Sequence, residues 1–373
     1  MRLTEEQLEA LETPCIVIDV NQVRQNVRAM QAAVGEAGCA LRPHIKTHKM
    51  AYFARMQLEA GASGITCAKV SEAEVMADGG IGDIFIAYPQ IGSFRIMRCV
   101  ELAKRVKRLI VGVDTREGAV RLNEEAMRSG TVIEVRLEID TGAGRTGVPL
   151  SDAAALAEEI AGMDGLRLTG IYTFKGLIYK GKTTDDNALA AAEEGELLEQ
   201  AANALAEAGV NVTEISGGSS PTGVEAARTG KLTEVRPGTY IFKDQLLCCE
   251  HVAEPEEIAV RFAVTVVSTP HDSYAVIDGG SKTFPSDIAL NTPPFYYKGY
   301  AAVEGRPDLT LSRMNEEHGI VTAAGGKTGL KVGDTLLLVP IHVCTAVNMH
   351  NYIYLLDGEN IEKMKVDARG MVV

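Results

Sequence analysis

The sequence predicts an α/β protein: a (β/α)8 barrel with a second, mostly β C-terminal domain. Three observations carry this. Short β-branched runs alternate with helical text from about residue 40 onward. Eight such runs occur, spaced as βα units require. After roughly Glu250 long helices disappear and Gly/Pro turns multiply.

The eight barrel strands are expected over 40–46, 64–70, 84–88, 108–114, 132–140, 167–174, 212–218 and 234–242. Helical periodicity fills most gaps, for example at 51–60, 70–79, 151–161 and 187–208. A doubly wound sheet is the structural competitor, but its G-x-G-x-x-G turn does not follow the first strand. Beyond the barrel, 261–269, 274–278, 335–343 and 352–355 read as strands, separated by turns such as Asp278-Gly279-Gly280 and Thr292-Pro293-Pro294. The early strand at 15–20 precedes the barrel and is assigned to the second domain. The expected division is therefore 21–252 for the barrel, with 1–20 plus 253–373 as the β domain.

Composition excludes several classes. With 46% hydrophobic and 23% charged residues, the 373-residue chain is globular rather than disordered. A net charge of −13 repels phosphate backbones, which argues against nucleic-acid binding but not against a local cationic pocket. No stretch reaches the ~18–20 apolar residues that span a bilayer, and the N-terminus is acidic, so a cytoplasmic protein with no membrane association is expected. Seven cysteines, an odd number scattered along the chain, do not form a secreted disulfide framework.

Catalytic groups of a barrel sit at the C-terminal ends of its strands. The first strand ends in Arg42-Pro43-His44-Ile45-Lys46-Thr47-His48-Lys49. A lysine within that strand would point into the barrel mouth. Desolvation and neighbouring cations would make its amine nucleophilic, which suits a Schiff base to an aldehyde. A merely basic surface loop is the alternative. Gly217-Gly218-Ser219-Ser220 and Gly238-Thr239, at the seventh and eighth strands, offer backbone N–H groups where barrels frequently bind phosphate. The alternative there is an ordinary glycine turn. An amine and a phosphate cradle together fit pyridoxal 5′-phosphate. Arg145 is a candidate for contacting its ring, or else a loop arginine paired with Asp140.

In the second domain, His342-Val343-Cys344 places an imidazole and a thiol on one side of an extended segment, where they could share a divalent cation. A buried cysteine beside a core histidine is the alternative. Asn348, His350, Asp278 or His318 could complete the shell. Adjacent Cys248 and Cys249 are read as packing residues.

These segments, with Cys67-Ala68-Lys69-Val70-Ser71-Glu72, Asp140-Thr141-Gly142-Ala143-Gly144-Arg145, Arg236-Pro237-Gly238-Thr239-Tyr240, Asp278-Gly279-Gly280 and Glu316-Glu317-His318-Gly319, resemble the D-threonine aldolase and D-serine dehydratase-like family across nearly the whole chain. The resemblance implies an alanine-racemase-type fold, a head-to-tail homodimer, pyridoxal 5′-phosphate and a divalent metal: Zn²⁺ first, with Mn²⁺ or Mg²⁺ as alternatives. It implies Lys46 as the Schiff-base lysine, and Gly218, Ser219, Gly238, Thr239 and Tyr240 around the phosphate. It places Arg145 near the ring, Tyr172 on the cofactor side, and His342 and Cys344 on the metal. His48 is a candidate second base. The implied substrate is a D-β-hydroxy amino acid. The implied reaction is dehydration to a 2-oxo acid and ammonia, because the second ligand is Cys344 where the aldolase branch typically has aspartate. Retro-aldol cleavage to glycine and an aldehyde is the alternative. A racemase on the same fold and a non-catalytic PLP carrier stand further off. Two residues depart from the family pattern: Phe174 stands where His or Cys is frequent, and Thr345 where many members carry proline.

Overall fold

The computed structural model describes Met1 and residues 3–373. The chain forms two compact units. One comprises Arg28–Lys46, Met50–Gly238 and Met371–Val373, the other Met1–Val27, Thr47–Lys49 and Thr239–Gly370. Strand β1 (Cys15–Asp19) lies in the latter.

The first unit is the barrel. Its strands are β2 (Ala40–Leu41), β3 (Ile65–Cys67), β4 (Asp83–Ile86), β5 (Arg108–Val113), β6 (Ile133–Glu138) and β7 (Leu166–Tyr172). After a short hairpin of β8 (Ile178–Tyr179) and β9 (Lys182–Thr183) come β10 (Glu214–Gly217) and β11 (Glu234–Val235). The eight-stranded sheet runs β2-β11-β10-β7-β6-β5-β4-β3, with every neighbouring pair parallel. A parallel bridge between His44 and Thr66 links its two ends. All eight expected barrel strands are present, which bears out the predicted fold class.

Helices connect the strands, and some of them open on a side-chain cap. Thr115 Oγ1 accepts the Gly118 N–H to open the helix Arg116–Arg128. Asp186 Oδ1 accepts the Leu189 N–H to open Asn187–Glu207. That second helix buries Ala190, Ala191, Leu198, Ala201 and Leu205 on one face. Inside, Phe85, Ile110 and Tyr172 form an apolar layer. A charged layer accompanies it: Glu234 accepts from Arg42 Nε and Arg136 Nη1, both at 2.6 Å, and from Ser216 Oγ at 2.7 Å.

The strands are shorter than the expected runs, the first and eighth most of all, and proline explains those two. The first ends at Leu41, because Pro43 has no N–H for the ladder. Lys46 therefore lies not within a strand but in the 3₁₀ turn Ile45–Thr47. The eighth ends at Val235, before Pro237, and Thr239–Ile241 is a second 3₁₀ turn.

In the other unit, β12 (Val260–His271), β13 (Tyr274–Ile277), β14 (Ala301–Val303), β15 (Arg306–Met314), β16 (Gly319–Ala323) and β17 (Thr335–Pro340) form an antiparallel ring. It closes because β12 pairs with β17 through Phe262–Thr265 and with β13 farther along, after a register shift. The early strand joins this sheet as expected: β1 sits between β12 and β18 (Tyr352–Asp357), followed by the edge strand β19 (Asn360–Lys365). Leu11, Cys15, Val17, Ala263, Tyr354 and Leu356 make its apolar packing. Among the described residues, no helix is long and apolar enough to cross a membrane.

Candidate active site

The barrel unit brings several of the expected residues together. Lys46 is exposed in its turn, and its Nζ lies 5.6 Å from the centroid of the Phe174 ring. The Arg145 guanidinium lies 4.5 Å from the same centroid. Phe174 follows the end of β7, so the residue that departs from the family pattern is the platform on which both cations rest. Arg145 is not paired with Asp140. The Asp140 carboxylate instead accepts the Gly142 and Gly144 N–H groups, folding the loop that carries Arg145.

Tyr172 is buried, and its hydroxyl donates to Glu138 Oε2 at 2.9 Å. Burial first, then the Glu138 charge, raise its pKa well above the ordinary phenol value. Its space exists because residue 112 is glycine: a Cβ there would lie 2.2 Å from the Tyr172 hydroxyl. Glu138 also accepts from Thr146 Oγ1, and burial raises its pKa.

The Gly218 loop is fixed from within. Gly218 has φ +68°, and an added Cβ would meet Val235 Cγ1 at 2.9 Å. Ser219 donates its N–H to Thr222 Oγ1 at 3.1 Å, and the two hydroxyls lie 2.9 Å apart. Gly238 donates its N–H to Ser220 Oγ. Glu194, on the helix Asn187–Glu207, is buried against this loop. A Cβ on Gly217 would lie 3.3 Å from its Oε1, while its Oε2 has no hydrogen-bond partner. Burial lifts its pKa to about 7, against the pull of Arg236 and of the Gly218 and Lys175 N–H groups.

The β unit carries the other set. The strand expected over 335–343 ends at Pro340, and His342 and Cys344 do not share one side of an extended segment: Val343 has helical φ −98° and ψ −25°, and Cys344 opens the short helix Cys344–Val347. His342 Nδ1 lies 2.9 Å from Asp287 Oδ2. Cys344 Sγ lies 3.1 Å from Thr47 Oγ1 and 3.2 Å from Thr239 Oγ1. Val343, between the pair, donates its N–H to Asp244 Oδ2 at 3.0 Å. Burial alone would raise the Cys344 pKa, but the His342 charge and its hydrogen bonds outweigh burial and lower it. The same coupling, with Asp287, outweighs burial at His342 and pushes it up to about 11. A neighbouring imidazole that makes the thiol more acidic also makes it readier to give up its proton to a soft divalent ion. Thr239 therefore faces Cys344, and Tyr240 is buried. His48 is also buried, edge-on to Phe242 with the ring centroids 6.4 Å apart.

The suggested additional ligands are engaged elsewhere or exposed. His350 Nε2 meets the Thr283 carbonyl, Asp278 caps the Thr265 N–H, Asn348 accepts from Gly370, and His318 is exposed. Among the described residues, no cluster of three or more His, Cys, Asp or Glu side chains is suited to a metal ion. The protein donors are therefore two, and further positions would fall to water or substrate.

Sequence reasoning missed Asp287, Asp244, Thr47, Glu138 and Glu194. Asp287 lies far from His342 in the chain with no local signature. Asp244 had one, an N-cap three residues before Leu247, whose N–H it accepts. Glu194 had one as well, because helical spacing puts it on the apolar stripe with Ala190 and Leu198.

Residues 18–245 match the family described as "Alanine racemase, N-terminal domain", and residues 259–356 match "Putative serine dehydratase domain". The chain is 32% identical over 369 residues to a D-threonine aldolase of Arthrobacter sp, covering 97% of this chain and 94% of that protein. It is 33% identical over 353 residues to a D-threo-3-hydroxyaspartate dehydratase of Delftia sp. (strain HT23), covering 91% and 93%. The solved structure of D-threo-3-hydroxyaspartate dehydratase from Delftia sp. HT23 superposes with a TM-score of 0.88 at 30% identity, over 96% of this chain and 98% of that one.

Proposed function

We propose that this chain, which belongs to the alanine racemase N-terminal-domain family and carries a serine dehydratase-type second domain, is a pyridoxal 5′-phosphate- and divalent-metal-dependent lyase of D-β-hydroxy amino acids, of the dehydratase type. The observation that carries the reading is the His342–Cys344 pair, an imidazole whose Nδ1 meets Asp287 and a thiol that lies against Thr47 and Thr239. The donor set suits Zn²⁺ best. Mn²⁺ and Mg²⁺ would prefer oxygen. Gly218, in the loop that takes the phosphate in this reading, is required for the loop's own path, because a side chain there would collide with Val235, while the Ser219 and Gly238 N–H groups donate to Thr222 and Ser220.

In this reading Lys46 holds the cofactor's aldehyde carbon through Nζ. Gly218, Ser219, Gly238, Thr239 and Tyr240 hold its phosphate, and Arg145 approaches its ring. Bound pyridoxal phosphate would supply an electron sink for Cα, and the cation a Lewis acid for the β-hydroxyl. Freed from the cofactor, Lys46 Nζ would serve as the base for the Cα proton, in a position bordered by Phe174, whose ring centroid lies 5.6 Å from Nζ and 4.5 Å from the Arg145 guanidinium. His342 and Cys344 would hold the cation. Tyr172 stays fixed on Glu138, and His48 is the candidate for a second proton transfer. Thr47, which follows Lys46 in the chain, has its hydroxyl against Cys344. Loss of the β-hydroxyl with the Cα proton, as water, followed by hydrolysis of the released enamine through its imine tautomer, would give a 2-oxo acid and ammonia.

The second reading is retro-aldol cleavage, favoured by the D-threonine aldolase of Arthrobacter sp among the relatives. Purified protein incubated with pyridoxal phosphate, Zn²⁺ or Mn²⁺ and D-threonine separates the two by mass spectrometry. 2-Oxobutyrate with ammonia supports the dehydratase. Glycine with acetaldehyde overturns it in favour of the aldolase. We propose further a homodimer, as the resemblance implies, and a functional division into 21–252 and 1–20 plus 253–373. A cytoplasmic setting is supported by seven free cysteines.

A further inference from the structure

His342 and Cys344 are both partly exposed. An imidazole that binds a cation through one nitrogen must carry its proton on the other, and the hydrogen bond made by that other nitrogen chooses the tautomer. Asp287 supplies such a bond, with Oδ2 2.9 Å from Nδ1. The second oxygen of the same carboxylate, Oδ1, accepts from Thr345 Oγ1 at 3.3 Å.

We propose that Asp287, steadied by Thr345, is a positioning residue that holds His342 with Nδ1 protonated and Nε2 turned toward a divalent cation. The inference rests on the reading that His342 and Cys344 hold the metal. It also gives Thr345 a role. A proline or valine there has no hydroxyl and would leave one carboxylate oxygen without this donor. Asp287 acts through His342 and is not itself a ligand, because it occupies the ring nitrogen that faces away from Nε2. Its negative charge also raises the basicity of the imidazole toward the cation. Asp244, holding the Val343 N–H, fixes the backbone between the two ligands and leaves the ring to Asp287.

The test titrates metal-free protein with Zn²⁺ against a competing chromophoric chelator. Far-UV circular dichroism confirms that each variant is folded. Asp287→Ala is expected to weaken Zn²⁺ binding by about 10–100-fold, the usual cost of removing an outer-shell partner. Asp287→Asn, which keeps an acceptor but loses the charge, should fall between Asp287→Ala and the native protein. Thr345→Val should weaken binding several-fold, and Thr345→Ser should restore it. Substitution with Co²⁺ adds a readout that a merely structural role would not move: the thiolate charge-transfer band of Cys344 should persist in Asp287→Ala at saturating metal. His342→Ala separates the two ideas. If it keeps stoichiometric Zn²⁺ at native affinity, the metal site itself is misassigned. If it loses Zn²⁺ while Asp287→Ala binds within twofold of native, the site stands and the positioning role is overturned. Loss in Asp287→Ala as complete as in His342→Ala would make Asp287 a ligand, which also overturns the proposal.

Discussion

Glu194 offers the sharpest physical test of the barrel end of the site. It is buried under the Gly218 loop, and burial raises its pKa from 4.5 to about 7. The unfolded chain keeps the ordinary value, so between those limits the native state binds more protons. Stability therefore falls as pH rises through this window and levels off above about 7. At roughly 1.36 kcal/mol per tenfold change in proton affinity, the full loss is about 3 kcal/mol. Most of it, about 2–3 kcal/mol, should appear between pH 5 and pH 8.5. Glu194→Gln keeps the carbonyl acceptor for the loop but cannot ionise, so its stability should lack this component. Urea unfolding of the cofactor-free protein can be followed by ellipticity, since the chain has no tryptophan. The difference between variant and native stability should widen in favour of the variant from pH 5 to pH 8.5. Parallel curves, with a constant offset at every pH, would refute the claim that Glu194 is held protonated. Other raised carboxyls, such as Asp244 at about 6, contribute equally to both proteins and cancel in the difference.

Four further outcomes follow from geometry. Glu234→Gln leaves Arg42 and Arg136 facing a neutral amide inside the barrel and should cost about 3–5 kcal/mol in urea unfolding. Those two guanidinium groups outweigh burial and hold the Glu234 pKa below the carboxylate range. Its contribution is therefore present above the usual glutamate pKa and is lost only as acid takes pH below it. Gly112→Ala forces a methyl against the Tyr172 hydroxyl and should cost about 1–3 kcal/mol, with the near-UV signal of the buried tyrosine altered. Lys46→Ala should abolish covalent fixation of pyridoxal phosphate by borohydride, read as the mass of the intact chain; a variant still labelled at one equivalent would remove Lys46 from its role. Replacing both His342 and Cys344 by alanine should eliminate stoichiometric metal by elemental analysis, and unchanged content would reduce the pair to packing.

Much of this architecture was legible because the barrel repeats its signal. Buried runs such as Ile84-Phe85-Ile86 and Ile110-Val111 are apolar on consecutive residues, as strands covered on both sides must be, and helical text fills the gaps. Strand ends were less legible. Pro43 and Pro237 truncate the first and eighth strands, and the two 3₁₀ turns that follow carry Lys46 and Thr239. The motif residues could be named, since each lies in a short run of distinctive chemistry. Their partners could not. Asp287 meets His342 across 55 positions, and Arg136 meets Glu234 across 98, separations at which no periodicity operates. The second halves of such pairs are set by register and loop path, which single-sequence patterns do not encode.

The position of β1 has a consequence for synthesis on the ribosome. Cys15-Ile16-Val17-Ile18 emerges first, yet its neighbours Ala263 to Val260 are translated about 250 residues later. At roughly 5–20 residues per second, the strand waits on the order of 12–50 s for a pairing partner while the barrel is made and can already fold. Its other neighbour, around Tyr354 and Leu355, comes later still. Throughout that interval an apolar strand, buried on completion, has both edges open, the condition under which nascent chains recruit holding chaperones or pair with one another. Slowing translation through the barrel should therefore lower the soluble yield of the native protein more than that of a circular permutant whose β1 is translated after β19.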